Sequence, residues 1–332
     1  MAARSLIVLP DDTPREIVTA IAGARRSLRI KMFVFSDPTL LAEVIKAKQR
    51  GVAVSVMLNP ARRSGEEDNL STRQTLIDAG VAVADSNPKF GLTHEKSMVI
   101  DDAVAYVNSL NWTEKNLTET RDYAIVTPHP KEVREIAACF DADWNRETFD
   151  AGQHARLVWC PGNGRDRICH LIDNVKHTLF VQNERYQDQI VIERLVRAAG
   201  RGVKVHVMVR APHTLKFDKL VEGIGGLRIL DDVGVKVHKL KHMKLHGKMF
   251  LADGEVAMIG SINLAPGSLD GRRELSIEAN DAAVIKRLEE VAHHDWKHSV
   301  RLDLSDEGLR KDLNDRAADE LLVLHGENDH DE

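Results

Sequence analysis

The sequence repeats itself at a spacing of 152 residues, and this duplication constrains the fold more than any other feature. The stretch "LTHEKSMVID" at 92–101 returns as "LHGKMFLAD" at 245–253. His94 and His246 are 152 apart, as are Lys96 and Lys248, Asp101 and Asp253, Asn111 and Asn263, and Trp144 and Trp296. Upstream, "QRGVAVSVML" (49–58) parallels "GRGVKVHVMV" (200–209) at a spacing of 151, so a one-residue insertion or deletion separates the blocks. One offset held over so many polar positions marks an internal repeat.

Both copies share a coarse element order. The first predicts a strand over 28–35, a helix from Ser36 to about Arg50 ending at Gly51, and a strand over 53–58. A helix near 70–78 and a strand over 81–86 follow, then the hairpin-like pair "KSMVID" and "VAYVNS", a strand over 123–127 and a helix over 131–145. The second copy predicts strands at "TLFVQNE", "KVHVMV" and "LRILDD" (227–232), the pair "HGKMFLAD" and "VAMIGS", the strand "LSIEAN", and helices over 188–199 and 281–296. Strands alternating with helices predict an α/β fold of two similar halves, each a mixed sheet flanked by helices. Halves related by a pseudo-twofold axis would share one active-site cleft. The expected division is a half over 1–150 with the first His-x-Lys, a half over 151–301 with the second, and an acidic C-terminal helix and tail over 302–332.

The bulk numbers narrow the class. With 332 residues, 43% hydrophobic and 29% charged, the chain reads as a soluble globular protein. A net charge of -5 provides no global basic field for nucleic acid, although a local patch is compatible with it. Cys139, Cys160 and Cys169 are odd in number and lack CxxC spacing, which argues against a disulfide framework or thiolate metal site and fits a reducing compartment. The apolar run near the N-terminus is too short for a signal peptide core, and no stretch approaches the roughly 20 apolar residues of a membrane span. The expected location is the cytoplasm, with peripheral membrane contact compatible with a lipid substrate.

In an extended chain residues i and i+2 face one side, so His94 and Lys96 present two cationic groups together. One such pair is an ordinary solvated sheet edge; two in register make a site. Each copy adds a hydroxyl, an amide and a downstream carboxylate: Ser109, Asn111 and Asp122 in one, Ser261, Asn263 and Glu274 in the other. The set suits a phosphodiester. Lysines and amides, with the hydroxyls, would bind and orient the phosphate oxygens. One imidazole would attack phosphorus, and the other would protonate the leaving oxygen. A carboxylate would fix an imidazole's tautomer.

Other features carry two readings. Asp253-Gly254 is a type I′ hairpin signal, so Asp101 and Asp253 read as structural rather than catalytic. Trp144 and Trp296, near helix ends, read as core. The run "KVHKLKHMKLHGK" (236–248) is either a solvated strand and loop or a positive approach to the cleft. In "QNERYQ" (182–187), Glu184, Arg185 and Tyr186 fall at a strand end and either line the pocket or form a surface loop.

The stretches "HEKSMVID…NSLN" and "HGKMFLAD…GSIN" resemble the paired HxK(x)4D(x)6GSxN signatures of the phospholipase D superfamily. That superfamily includes phospholipases D, cardiolipin and phosphatidylserine synthases, and metal-independent endonucleases, and the resemblance covers most of residues 1–300. It implies the phospholipase D fold and a covalent phosphohistidine resolved by water or an alcohol, with no metal and no cofactor. It further implies His94 as nucleophile, His246 as acid and base, and Asp122 and Glu274 as carboxylates orienting the histidines. The signature glycine is Gly260 in the second copy but Asn108 in the first; asparagine tolerates positive φ, which would preserve a turn there. The expected activity is a phospholipase D-like phosphodiesterase or phosphatidyl transferase, with a phospholipid favoured because single-chain duplication is common among the lipid enzymes. The alternatives are a nucleic-acid phosphodiesterase, served by the basic run but opposed by the net charge and 5% aromatic content, and a non-catalytic phosphate-binding protein with a retired site. One chain carries both motifs, so a monomer suffices for a complete site.

Overall fold

The computed structural model of the chain describes residues 3–62, 65–150, 152–210, 217–311 and 314. Apart from residue 314, the expected tail lies outside the described residues from 312 onward, including its "NDHDE" end. The first half runs β1 (Ser5–Leu9), α1 (Arg15–Ala22), β2 (Ser27–Met32), α2 (Pro38–Gln49), β3 (Ala53–Leu58), α3 (Leu70–Asp78) and β4 (Ala82–Asp85). It continues through β5 (Leu92–Thr93), β6 (Ser97–Ile100), β7 (Val104–Asn108), α4 (Glu114–Thr118), β8 (Thr120–Thr127) and α5 (Pro130–Asn145). The second half opens with β9 (Leu157–Cys160), α6 (Gly164–Asn174), β10 (Thr178–Asn183), α7 (Gln189–Gly200), β11 (Lys204–Val209), α8 (Phe217–Asp232) and β12 (Lys236–Leu240). It closes with β13 (Lys244–Leu245), β14 (Lys248–Ala252), β15 (Val256–Gly260), α9 (Pro266–Gly271), β16 (Arg272–Ala279), α10 (Ala282–Lys297) and β17 (Ser299–Arg301).

The same local chemistry recurs in both copies. Asp37 caps α2 by accepting from the Leu40 N–H, and Asp188 caps α7 by accepting from Val191. The two hairpins turn on residues at positive φ, Asp101 and Asp102 (56° and 54°) and Asp253 and Gly254 (53° and 66°), as type I′ turns demand. The Asp101 carboxylate accepts from the backbone of Arg25, Arg26 and Ser27, and Asp253 from Lys176, His177 and Thr178. Each aspartate thus ties its hairpin to the chain entering β2 or β10.

One sheet runs β1-β8-β7-β6-β2-β3-β4, the other β17-β12-β11-β10-β14-β15-β16, with β9 on β16 as β1 is on β8. In each, a parallel trio (β2-β3-β4, or β10-β11-β12) joins an antiparallel hairpin, so both sheets are mixed. Two short strands cross over. β5 pairs with β16 of the other half, and β13 pairs with β8.

The cores explain why so many strands are apolar on both faces. One core, with Ile17, Val44, Val56 and Leu76, lies under α1, α2 and α3. A second, with Ile172, Leu195, Val207 and Leu230, lies under α6, α7 and α8. The third is shared: Val107, Ile125 and Ile136 pack with Trp159, Leu251, Ile259 and Leu288. The sheets therefore meet face to face, with α5 and α10 completing the central layer.

Four expectations change. "LRILDD" is not a strand but the end of α8: Leu227 and Leu230 are buried while Ile229 is exposed, a helical period. The strand in that position is β12. His94 and Lys96 do not share a strand, because residues 94–96 form the crossing between β5 in one sheet and β6 in the other. Trp144 and Trp296 are half-buried rather than core, Trp144 stacking on Phe140 and Trp296 on His238. Finally, neither Asn108 nor Gly260 has positive φ. Gly260 faces close backbone instead: a Cβ there would collide with the Leu275 carbonyl oxygen and with Ser276. The register partner of Asn108 is the smaller Ala124.

Candidate active site

The two crossings bring the repeats together. The N–H groups of His94 and Glu95 both donate to the Arg273 carbonyl, and those of His246 and Gly247 to the Arg121 carbonyl, so each histidine is anchored on the opposite half. Gly247 is required by that approach, since a Cβ there would lie 2.7 Å from the Tyr123 ring. The consequence is an exchange of carboxylates. His94 Nδ1 lies 2.9 Å from Glu274 Oε2, and His246 Nδ1 lies 2.8 Å from Asp122 Oδ1. Each imidazole is held by the carboxylate of the other copy.

The tautomers follow from the partners. His94 Nδ1 also faces the Ser261 carbonyl at 3.2 Å, an oxygen that can only accept, so the proton sits on Nδ1 and the Nε2 lone pair is free. His246 Nδ1 faces both oxygens of Asp122, at 2.8 and 3.0 Å, and carries its proton in the same way.

Electrostatically the half-sites differ. Asp122 receives the Ser109 hydroxyl at 2.6 Å, the Thr120 hydroxyl at 2.6 Å and the Asn116 amide at 3.1 Å. Burial opposes its charge, but His246, Lys248 and Ser109 hold it below the usual carboxylate range. Glu274 is also fully buried, and its Oε1 makes no hydrogen bond among the described residues. Burial pushes it up, against the pull of Lys96. Burial, with the Lys96 and Lys248 ammonium groups, drives His94 well below the ordinary histidine value. His94 is therefore a neutral base at neutral pH.

The lysines are fixed by their own loops: Lys96 Nζ donates to the His94 carbonyl at 2.6 Å, and Lys248 Nζ to the His246 carbonyl. Lys248 also pairs with Glu184 at 2.9 Å, whereas no carboxylate among the described residues lies within 4.0 Å of Lys96 Nζ. Burial, reinforced by Lys248, brings Lys96 down to about 7 despite Glu274 and Asp122. Asn111 and Asn263 are buried, and among the described residues the Oδ1 of each lacks a partner, while the Asn111 amide nitrogen makes a 3.4 Å bond to Asn116. This symmetric pair of uncommitted amides suits a ligand. Ser109 and Ser261, expected among the phosphate ligands, are placed otherwise: Ser109 bonds Asp122 and the Tyr123 N–H, Ser261 the backbone of Leu275. Asp101 and Asp253 bond only backbone at the hairpins and do not join the cluster.

Several supporting residues escaped the sequence reading. Arg121 pairs with Asp295 at 2.8 Å, and Arg273 with Asp143 at 3.0 Å, two buried bridges that cross between halves in opposite directions. Both arginines and both aspartates are 152 apart, so the repeat contained the signal. Lys31 is wholly buried between Glu95 (2.9 Å) and Asp143 (2.8 Å). Glu95, Cys139 and Asp143 are close enough together to hold a metal ion, but the Lys31 ammonium already sits against all three. In the other half Gln182 takes the place of Lys31, bonding Asp295 and the Tyr123 hydroxyl. Of the basic run, Lys236 and His238 belong to β12 beside His206, and Lys244 comes near Lys115.

The family described as cardiolipin synthase, PLD-like domain, matches the chain twice, over residues 17–144 and 168–296. Cardiolipin synthase B of Salmonella typhi is 27% identical over 311 residues, covering 80% of this chain and 72% of that protein. The fold is shared with phosphatidylserine synthase of Haemophilus influenzae Rd KW20 (TM-score 0.73, 12% identity, 97% of this chain and 94% of that one). It is also shared with polyphosphate kinase from Porphyromonas gingivalis (TM-score 0.71, 18% identity), where the match covers 90% of this chain but only 48% of that chain.

Proposed function

This chain belongs to the PLD-like domain family of cardiolipin synthase, a family of phosphodiesterases and phosphatidyl transferases, and on that premise we propose that it hydrolyses or exchanges phospholipid phosphodiesters through a covalent phosphohistidine. The observation that carries the reading is the reciprocal pair of histidine–carboxylate contacts, at 2.9 and 2.8 Å, beside two buried lysines. The Nε2 lone pair of neutral His94 attacks phosphorus, and the bond to the leaving oxygen breaks as that oxygen takes the Nε2 proton of a doubly protonated His246, which keeps its Nδ1 proton on Asp122. Water or an alcohol then gives a proton to His246 as its oxygen attacks phosphorus and the phosphorus–nitrogen bond breaks. Lys96, Lys248, Asn111 and Asn263 bind the non-bridging oxygens, where negative charge gathers in the transition state. Glu274 and Asp122 orient the imidazoles, and Ser109 steadies Asp122. A phospholipid is the favoured substrate because the family and its cardiolipin synthase B relatives are named for one. Among the described residues no helix is long and apolar enough to cross a membrane.

Incubation with a radiolabelled diacyl phosphodiester and quenching in base tests the mechanism. An acid-labile, base-stable adduct should form on His94, vanish in His94→Ala, and form more slowly in His246→Ala, which lacks the proton donor for the leaving oxygen. An adduct on His246 alone would reverse the roles, and the lack of any adduct or turnover would leave a retired phosphate-binding site. Head-group release from vesicles, run beside cleavage of single- and double-stranded DNA, separates the lipid reading from the nucleic-acid one.

A further inference from the structure

The two half-sites differ most at one pair of equivalent positions. Phe33 follows β2 and Glu184 follows β10, and the 151-residue offset that aligns those strands aligns these residues. Phe33 sets its ring 4.8 Å from the His94 ring and 5.2 Å from Lys96 Nζ. Glu184 instead brings a carboxylate 2.9 Å from Lys248 Nζ and 3.9 Å from His246 Nε2, with its other oxygen 3.0 Å from Arg210. Its side chain is 11% exposed, and although burial opposes the charge, Lys248, His246 and Arg210 hold the acid well below its usual range. A permanent negative charge therefore sits beside the nitrogen that serves the leaving oxygen.

We infer that Glu184 is a specificity-determining residue that restricts the cleft to singly charged phosphodiesters and rejects phosphomonoesters and pyrophosphate. The inference rests on the phosphodiester reading above. A diester presents His246 with an uncharged ester oxygen, which a neighbouring carboxylate tolerates. A monoester carries a second negative charge on the same phosphorus, and Glu184 repels it while screening the Lys248 charge that would otherwise attract it. Beside His94 the equivalent wall is aromatic, so the discrimination acts on one side of the phosphorus only.

Calorimetric binding of dibutyl phosphate and monobutyl phosphate to the full chain at neutral pH tests this without relying on turnover. Glu184→Gln, which keeps the shape and removes the charge, should tighten monobutyl phosphate roughly ten- to a hundredfold and dibutyl phosphate less than about threefold. Glu184→Asp should restore most of the discrimination, which a merely structural role would not. Equal tightening of both ligands, or unchanged monoester binding in a Glu184→Gln protein with wild-type circular dichroism, overturns the inference alone. Failure of dibutyl phosphate to bind the wild type overturns the phosphodiester reading and this inference with it.

Discussion

At the scale of single residues, the site depends on groups whose charge is decided by burial. Lys96 is the clearest case, brought to about 7. A lysine with a lowered value is charged below it and neutral above it, so dibutyl phosphate binding should weaken as pH rises through about 7. Lys96→Arg, which cannot deprotonate in this range, should flatten that dependence. The same shift has a stability consequence of definite sign. Between about 7 and the ordinary lysine value near 10.4 the unfolded chain binds the extra proton, so this group makes the fold more stable as pH rises across that window. A pH-independent affinity in the wild type would show that another group carries the phosphate. Most of these residues were legible in the sequence, because the repeat offset singles out His94, Lys96, Asn111 and Asp122 with their partners. Glu184 was left between a pocket lining and a surface loop and Phe33 was not singled out, since a position where the copies differ gives a repeat no signal.

At the scale of elements, the crossings of β5 and β13 depend on buried bridges beside them. Arg273–Asp143 and Arg121–Asp295 tie the end of one half's long helix to the other half's last long strand. Burial opposes the charge on Asp143, but Lys31 and Arg273 bring it to about 2. Stability from this lowered value is present above the unfolded carboxylate value near 3.9 and is lost as pH falls through about 2, a contribution of roughly 2 kcal/mol. Asp143→Asn leaves Lys31 and Arg273 short of a counter-charge and should cost about 3–5 kcal/mol in urea unfolding, while flattening the acid limb of the stability curve. A loss below about 1 kcal/mol would show that Glu95 alone balances the pair. Element types were largely readable, the helix expected near 70–78 spanning Leu70–Asp78, because periodicity is local. "LRILDD" misled because four apolar or extended-looking residues before a turn suit either element, and only the buried pair Leu227 and Leu230 settles it.

At the scale of the whole molecule, the halves share a core, two exchanged strands and two reciprocal bridges. Residues 1–150 expressed alone would expose the central layer and leave Asp143 without Arg273 and Arg121 without Asp295. That fragment should remain unfolded or aggregate, and coexpression with 151–332 should restore a soluble complex in size exclusion. A monodisperse, cooperatively melting single half would refute this. By itself the sequence determined the repeat, the α/β class, the approximate places of many elements and the residue types of the site, because periodicity and offset are properties of the chain alone. Only the tertiary structure decided which carboxylate serves which histidine. His94 meets Glu274 across 180 residues and His246 meets Asp122 across 124, since β5 and β13 leave their own sheets for the opposite ones. No local pattern encodes that exchange, which follows from packing two sheets face to face around a shared core.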